Sequence, residues 1–319
     1  MSISPYTPSV FLTSGSRVFV VILNYRHALD TVRCIASLRR SRDLNLHPIV
    51  VDNGSGTGEI ERLRTHLGPA LAILELPDNL GYAAGNNHGI RYALERDADL
   101  VWILNPDTEV EPKTLQLLQA TMRSHADAGF VGSVNLVAGS EPARVQFAGG
   151  RIDRETGATE SLGIGTLADN LRPNDPYEVD YVAGTSILIR RRVFNDVGLL
   201  PEHYFLYFEE TDLQVRAHQH GWRSYVSPLA RVWHHQRSAG RTPEPYYVYY
   251  YIRGRLLFGK ANTDLTDGQL EEGLAPFIEG WRTRVEERAP GWLNTYERLV
   301  RFGLEDGRAG RRGRREDIH

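Results

Sequence analysis

The first hundred residues alternate short apolar runs with amphipathic stretches. Residues 18–23 form an apolar run rich in β-branched side chains, typical of a strand buried on both faces. Residues 28–40 carry apolar side chains at helical spacing. The alternation continues with a strand at 49–51, a helix after the glycine-rich turn that begins at Asp52, a strand at 71–77, a helix at 82–95 and a strand at 100–104. This spacing predicts an α/β fold with a Rossmann-like, mostly parallel central sheet flanked by helices.

The second half of the chain has a different pattern. Residues 138–178 are polar and rich in glycine, which favours hairpins and loops. Residues 179–194 predict a strand that enters a short helix, and an aromatic loop then leads into an amphipathic helix that ends at Gly221. A tyrosine-rich stretch at 246–260 and helical patterns at 265–303 predict a helical C-terminal extension.

Composition excludes several classes of protein. Hydrophobic residues make up 41% of the 319 residues and charged residues 24%, which is ordinary for a soluble globular protein. The net charge of −3 creates no field that would recruit nucleic acid. A single cysteine, Cys34, favours a reducing compartment, and no apolar run approaches the ~20 residues of a membrane span. We therefore expect a cytoplasmic protein.

Both ends of the chain differ from the rest. Residues 1–16 lack the pattern of a secretory signal and are predicted to be disordered. Residues 306–319 are rich in arginine and glycine and are predicted to form a disordered basic tail. A weak contact of this tail with anionic lipid, at the inner face of a membrane, or with a glycan phosphate is the alternative to a solvated tail.

Polar side chains follow each predicted strand of the first half. The carboxyl ends of parallel strands share one edge of a sheet, where ligands bind in α/β folds. The residues at these ends are Asn24, Asp52, Asn53, Asp78, Asn79, Asn105 and Asp107. The pattern predicts a binding cleft at this edge.

Two nucleotide-binding patterns fail in detail. Residues 254–260 match the start of a P-loop, but Ala261 stands where a Ser or Thr would bind magnesium. The glycine-rich turn after the second strand lacks the GxGxxG spacing that a dinucleotide site needs. A nicotinamide-dependent oxidoreductase is therefore disfavoured.

Two clusters carry candidate chemistry. Asp107 is an oxygen ligand suited to Mg²⁺ or Mn²⁺, and the pair His234–His235 offers an imidazole. Glu209, Glu210 and Asp212 open a predicted helix. Acidic residues at a helix N-terminus can simply complement the helix dipole, but three carboxylates exceed what capping requires.

Several characteristic segments follow one another within roughly residues 17–260: "VVILNYR", "IVVDNGSGTG", "DNLGYAAGNNHGIRYAL", "WILNPDTEV", the stretch from "YVAGTSILIRRRVF" through "YFLYFEETDLQVRAHQHGW" to "RVWHH", and "YYYIRGRLLF". In this order, the segments resemble the large family of inverting glycosyltransferases with the GT-A fold (family 2), especially its rhamnosyltransferase-like branch. The resemblance implies a GT-A domain at 17–243, with a nucleotide-sugar half at 17–137 and an acceptor and catalytic half at 138–243. A helical extension at 244–305 follows.

The resemblance also assigns roles to residues. Asn24, Tyr25, Asp52 and Asn53 fall where such enzymes hold the base and ribose of a sugar nucleotide. The stretch with Asn79, Gly81 and Asn86 borders the donor, Asn105 and Asp107 occupy the Asp-x-Asp metal motif, Glu210 occupies the position of the catalytic base, and His234 that of a late metal or diphosphate ligand.

Two departures from the family pattern stand out. The chain has Glu209-Glu210 where the family usually has Glu-Asp, so the predicted base has one extra methylene and Asp212 is a reserve candidate. Gly254 follows Arg253 where the family more often has Asn.

The resemblance implies inverting transfer of a sugar from a dTDP- or UDP-sugar, with L-rhamnose as first candidate, assisted by Mg²⁺ or Mn²⁺. The acceptor is a hydroxyl of a glycan, a lipid-linked glycan or a natural product. One alternative is a nucleotidyltransferase, which would need a glycine-rich basic loop that residues 23–33 do not provide. The other is a non-catalytic binding module, which would not keep the acidic cluster. The tyrosine-rich stretch 246–251 is either core or the surface of a homodimer.

Overall fold

The fold is described from a computed structural model of the protein, for residues 15–41, 45–235 and 242–318. The predicted disordered N-terminal segment lies almost entirely outside the described residues.

The first half confirms the predicted alternation of strands and helices as far as residue 104, and adds a short strand and a helix that were not predicted. Its elements are β1 (Val18–Asn24), α1 (Ala28–Leu38), β2 (Leu46–Asn53), α2 (Thr57–Leu67), β3 (Ala72–Leu76), α3 (Gly81–Leu94), β4 (Leu100–Leu104), β5 (Thr108–Val110) and α4 (Thr114–Ser124).

The second half combines the predicted short strands and helices with two long strands that the sequence pattern did not predict. Its elements are β6 (Ala128–Val137), β7 (Val145–Phe147), β8 (Gly150–Ile152), β9 (Thr159–Ser161), β10 (Tyr177–Val179), β11 (Ser186–Arg190), α5 (Arg191–Val197), α6 (Glu209–Gln219), β12 (Arg223–His234), α7 (Pro245–Asn262), α8 (Asp267–Arg288) and α9 (Leu293–Arg308). Short 3₁₀ turns occupy Ala168–Asn170, Glu202–Tyr204 and Pro290–Trp292.

The two halves share one ten-stranded sheet. Its order is β10-β12-β6-β11-β4-β1-β2-β3, with β5 on β12 and β7 on β6, while β8 and β9 form a separate hairpin. β1 to β4 are parallel to one another, β12 is parallel to β6, and β11 is antiparallel to both β4 and β6. The predicted α/β class with a mostly parallel central sheet is therefore confirmed.

The sheet is covered on both faces, which explains the continuous apolar runs of its strands. In β4, Leu100, Trp102 and Leu104 belong to one apolar cluster, and Val101 and Ile103 belong to the cluster on the other face. All five side chains are essentially inaccessible to solvent. A strand that is buried on both faces needs apolar residues at every position.

Helix α3 lies unusually close to the sheet because its inner face is made of small residues. A Cβ atom placed on Gly89 would lie 2.4 Å from a methyl group of Val21. This close packing brings the N-terminus of α3 to the carboxyl ends of β1 and β2.

The C-terminal helices α7, α8 and α9 enclose a third apolar cluster. Within the described part of the chain, no helix is long and apolar enough to cross a membrane.

The prediction of a disordered tail at 306–319 is wrong for the residues that the structure describes. Helix α9 continues to Arg308, Arg315 binds Asp306 at 2.7 Å, and Ile318 is buried against the C-terminal helices. The composition of the tail is that of a solvated segment, but Arg311 and Arg315 pair with the buried Asp306 and Ile318 joins the third apolar cluster.

Candidate active site

The ends of β1 and β2 form a buried polar floor at the predicted edge of the sheet. Asn24 and Asp52 are register partners, and the Asn24 amide donates to the Asp52 carboxylate at 2.7 Å. The Thr31 hydroxyl donates to Asn24, and the Ser55 backbone N–H donates to Asp52. Both side chains are fully buried, so they hold the floor of the site together through contacts within the protein. Tyr25, which follows Asn24, is half-buried beside the guanidinium of Arg26.

Asn53 shapes the turn that leads into α3. Its amide donates to the side chain of Asn79 at 2.9 Å and to the carbonyl of Gly81 at 3.1 Å. Gly81 has φ +87°, a conformation that favours glycine, and a Cβ there would meet the Phe205 carbonyl at 2.4 Å. Asn86 is fully buried, and its side-chain oxygen has no hydrogen-bond partner among the described residues. Buried polar atoms normally have a protein or water partner, so this oxygen is an exception within the site.

Asp107 and His234 come together although they are far apart in the sequence. Antiparallel pairing of β5 with β12 sets Thr108 opposite His234, and the His234 Nε2 atom lies 3.2 Å from Oδ1 of Asp107. Nδ1 of the same imidazole lies 2.7 Å from the amide oxygen of Gln146 on β7. Because an amide oxygen only accepts, Nδ1 carries a hydrogen and donates it to Gln146.

This pair fits a divalent cation. A neutral His234 that donates from Nδ1 directs the lone pair of Nε2 towards Oδ1 of Asp107, 3.2 Å away, so the two atoms can share a cation. A fixed imidazole with a second partner is the usual arrangement of a metal-binding histidine. If His234 is protonated instead, burial raises the pKa of Asp107 but the imidazolium outweighs burial and lowers it.

The neighbouring His235 points elsewhere. Its Nε2 atom lies 2.8 Å from the Glu109 carboxylate. Among the described residues, no group of three or more His, Cys, Asp or Glu side chains is arranged to hold a metal. Two protein ligands match the way Mg²⁺ binds, with the remaining positions taken by water and substrate phosphates.

The three carboxylates at the start of α6 differ sharply in their surroundings. Asp212 is buried and saturated: it accepts from the Tyr204 hydroxyl at 2.9 Å, from Arg216 at 2.7 Å and from Asn262 at 3.3 Å. Glu210 is only partly buried; its Oε1 atom accepts from the Gly184 backbone N–H at 3.1 Å, and its Oε2 atom has no hydrogen-bond partner among the described residues.

Glu209 is buried beside Glu210, and its Oε2 atom also lacks a hydrogen-bond partner in the described chain. Burial raises the pKa of Glu210 above its ordinary value, and burial together with the charge of Glu210 raises the pKa of Glu209 further. The pair therefore gives up its protons less readily than solvated glutamates do.

The loop before α6 holds these carboxylates with a strained backbone. Phe205, Tyr207 and Phe208 have φ values of 70°, 69° and 73°. This conformation costs a non-glycine residue about 1–3 kcal/mol. It therefore persists only where the surrounding structure enforces it. The enforcing contacts include the Tyr82 backbone N–H, which donates to the Phe205 carbonyl at 2.7 Å.

Four residues of the site were not predicted from the sequence. Gln146 orients His234. Gly184 donates its N–H to Glu210, and Tyr82 contacts Gly184. Gln214 forms hydrogen bonds with both the N–H and the C=O of Val182. None belongs to an acidic or histidine cluster. Tyr82 lies within the stretch that resembles a donor-binding motif, which is the one sequence signal for any of them.

A profile described as "Glycosyl transferase family 2" matches residues 18–198 of this chain. The N-acetylglucosaminyl-diphospho-decaprenol L-rhamnosyltransferase of Mycobacterium tuberculosis is 29% identical over 243 residues, which cover 70% of this chain and 78% of the relative. The hexosyltransferase Agl10 of low-salt glycan biosynthesis in Haloferax volcanii is 26% identical over 82% of each chain. The dTDP-rhamnosyl transferase RfbF of Shigella flexneri is 20% identical over 69% of each chain.

Solved structures share the fold at low identity. The mannosyltransferase PcManGT from Pyrobaculum calidifontis, in complex with GDP-Man and Mn²⁺, matches with a TM-score of 0.53 and 15% identity over 92% of this chain and 86% of that chain. GalNAc-T7 with UDP, GalNAc and Mn²⁺ matches with a TM-score of 0.58 and 16% identity, covering 88% of this chain and 58% of that one. The fold is thus the GT-A type that the sequence predicted.

Proposed function

The chain belongs to glycosyl transferase family 2, in its rhamnosyltransferase-like branch, and we propose that it transfers L-rhamnose from dTDP-L-rhamnose to a hydroxyl of a lipid-linked glycan. We propose further that the anomeric carbon is inverted and that Mg²⁺ or Mn²⁺ assists. Transfer of a glycosyl group is the activity of the family. The identity of the donor and acceptor, the use of a cation and the inversion at the anomeric carbon are what we propose for this chain.

The donor is assigned to the carboxyl ends of the four parallel strands β1 to β4. Asn24, Asp52 and Asn53 would form the floor under the base and ribose, with Tyr25 beside them. The turn at Asn79 and Gly81, with Asn86 and Asn105, would border the sugar diphosphate. The unpartnered oxygen of Asn86 supports this assignment. The choice of dTDP-L-rhamnose follows from relatives that are named as rhamnosyltransferases.

Asp107 and His234 would hold the cation. When bound, the cation neutralises negative charge on the diphosphate as the sugar–phosphate bond breaks. Gln146 keeps the imidazole of His234 in the required orientation by accepting from Nδ1. Structural neighbours that contain Mn²⁺ support a divalent cation in this fold.

Glu210 is proposed as the general base. The acceptor oxygen attacks the anomeric carbon from the face opposite the diphosphate, its hydrogen passes to Oε2 of Glu210, and the carbon–oxygen bond to phosphate breaks with its electrons going to the diphosphate. Burial raises the pKa of Glu210, which makes it a stronger base than a solvated glutamate. Asp212 is less suited, because Arg216 and two other donors occupy its oxygens.

The observation that carries the proposal is the contrast between Glu210 and Asp212. Oε2 of Glu210 is buried and lacks a hydrogen-bond donor among the described residues, whereas donors occupy both oxygens of Asp212. Buried carboxylate oxygens without donors are costly unless a ligand uses them.

A lipid-linked acceptor is proposed because the M. tuberculosis relative is named for one. The acceptor would lie against the segment 138–178 and the C-terminal helices. Such an acceptor would bring the protein to the inner face of a membrane as a peripheral, cytoplasmic enzyme.

Thermal stabilisation by nucleotide sugars tests the donor and the cation together. A ligand at ~100 times its Kd should add about 2.7 kcal/mol to the free energy of unfolding. We expect dTDP-L-rhamnose or UDP-sugars with Mn²⁺ to raise the melting temperature, and ADP and GDP to have less effect. The shift should shrink in EDTA and in Asp107→Ala. Stabilisation by ADP or GDP equal to that by dTDP would contradict the donor assignment.

A further inference from the structure

Tyr82, at the start of α3, contacts three parts of the site at once. Its backbone N–H donates to the carbonyl of Phe205 in the strained loop. Its hydroxyl oxygen lies 2.9 Å from the Gly184 carbonyl oxygen and 3.2 Å from the side-chain oxygen of Asn105. Gly184 in turn donates its N–H to Glu210. Tyr82 therefore links the donor side of the site to the residue that anchors the base.

The Tyr82 hydroxyl acts as a donor. Burial, together with the charges of Glu210, Glu209 and Asp107, raises the pKa of Tyr82 well above its ordinary value, so the hydroxyl keeps its hydrogen at neutral pH. A hydroxyl has one hydrogen to donate, and both nearby acceptors are oxygens. The shorter of the two contacts is the one to Gly184.

The space around Gly184 shows how tightly the three groups fit. A Cβ atom added to Gly184 would lie 2.6 Å from the Tyr82 hydroxyl oxygen and 3.3 Å from Oε1 of Glu210. The first distance is shorter than real Cβ atoms allow. A glycine is thus required for Tyr82 and Glu210 to approach the same residue from two sides.

We propose that Tyr82 is a positioning residue for glycosyl transfer: its hydroxyl fixes Gly184, and Gly184 fixes Glu210 against the donor site. This inference rests on the proposed role of Glu210 as the base. The turn at the start of α3, which borders the proposed donor site, therefore also sets the orientation of the base through two hydrogen bonds in series.

Tyr82→Phe tests the inference, because it removes the hydroxyl and keeps the ring. The matched control is Tyr296→Phe, which removes a similar hydroxyl that donates to the Ile278 carbonyl at 2.7 Å in the C-terminal helices. Hydrogen exchange of the Gly184 amide, measured without substrate, should be faster in Tyr82→Phe than in the control. Unchanged exchange would overturn the inference.

Kinetics with dTDP-L-rhamnose separate positioning from a structural role. We expect kcat of Tyr82→Phe to fall about tenfold, because the variant loses one hydrogen bond that orients the base. KM for the donor should be almost unchanged. The Gly184 N–H lowers the pKa of Glu210, so a loosened Gly184 should also move the acidic limb of the rate profile to higher pH. The other titratable groups facing Glu210, which are Glu209, Tyr181 and Tyr207, are unchanged in this variant.

The outcomes distinguish this inference from the proposed function. If Glu210→Gln is inactive while Tyr82→Phe keeps the kcat and pH profile of Tyr296→Phe, Tyr82 has no positioning role and the proposed function stands. If Glu210→Gln retains full activity, the base is misassigned and the inference falls with it. If Tyr82→Phe fails to fold, Gly184→Ala probes the same contact from the other side and should show the same loss of kcat; wild-type kcat in that variant would overturn the inference.

Discussion

At the scale of single residues, the start of α6 offers a direct contrast between two carboxylates. In the described part of the chain, Glu210 has one oxygen without a donor, whereas both oxygens of Asp212 are occupied by Tyr204, Arg216 and Asn262. We predict that Glu210→Gln keeps the fold and the donor affinity but lowers turnover by roughly 10²–10⁴, the usual effect of losing a general base. Steady-state kinetics and dTDP titration check this.

The companion variant Asp212→Asn should behave differently. It weakens a buried ion pair, so it should lower the melting temperature more than it lowers kcat of the folded fraction. If Asp212→Asn is inactive while Glu210→Gln stays within a few-fold of the wild type, Asp212 is the base.

Glu209 makes stability depend on pH. Its pKa is raised in the folded protein by burial and by Glu210, so the group stabilises the fold below its unfolded pKa, near 4.5, and this contribution is lost as pH rises through the raised folded pKa. We predict that Glu209→Gln, which cannot ionise, loses less stability than the wild type between pH 5 and pH 8. Urea unfolding at several pH values measures this. Parallel curves for the two proteins would show that Glu209 is not responsible.

The two adjacent histidines provide a matched control for the proposed cation site. His234 faces Asp107, but His235 faces Glu109. We predict that His234→Ala weakens Mn²⁺ activation by about 10–100-fold, as expected for loss of a ligand or its support, whereas His235→Ala stays close to the wild type. Activity titrated against Mn²⁺ concentration distinguishes the two. Equal effects of both changes would remove His234 from the site.

At the scale of secondary-structure elements, the sequence predicted β1 to β4 and α1 to α3 well because each is continuous, local and strongly patterned. It did not predict β6 or β12 as strands. β12 contains Pro228 and a register shift between Ser227 and Arg231, so no regular period-two pattern runs through it. The antiparallel insertion of β11 between β4 and β6 is a matter of long-range pairing that local patterns do not encode.

The same difference between local patterns and long-range pairing explains which site residues could be predicted. Asn105 and Asp107 follow a recognisable strand, and the segment with Glu210 resembles a family motif. Gln146 and Gly184 acquire their roles only when β7 and the residues before β11 are brought beside other elements. No local pattern marks them.

The residues after α9 support the loop before α6. Arg253 on α7 is fully buried and donates to the carbonyls of Gly313 at 2.7 Å and Tyr204 at 2.5 Å. We predict that a chain shortened after Arg308 loses about 1–3 kcal/mol of stability or more, because a buried guanidinium would lose an acceptor. Chemical denaturation measures the loss, and hydrogen exchange should rise in residues 203–208.

The control for this truncation lies in the same segment. Arg312 and Arg314 are exposed, so changing both to alanine should alter stability by no more than about 0.5 kcal/mol. A truncated chain as stable as this double variant would show that the segment does not brace the loop.

At the scale of the whole molecule, the site exists only because both halves of the chain contribute to one sheet. Asp107 follows β4 in the first half, and His234 ends β12 in the second. β5 reaches across to β12 and closes the distance between them. Glu210, at the start of α6, reaches the site through Gly184, which precedes β11 beside β4.

The most direct test follows the anomeric configuration of the product by NMR. Wild-type protein, Mn²⁺, dTDP-L-rhamnose and an N-acetylglucosaminyl-diphospho-lipid acceptor are incubated together, and the same reaction is run in excess EDTA and with Glu210→Gln. We predict a rhamnoside whose anomeric configuration is opposite to that of the donor, formed only with the cation and at least about 10²-fold more slowly by the variant. A product that retains the configuration of the donor, or full activity of Glu210→Gln, would contradict the account.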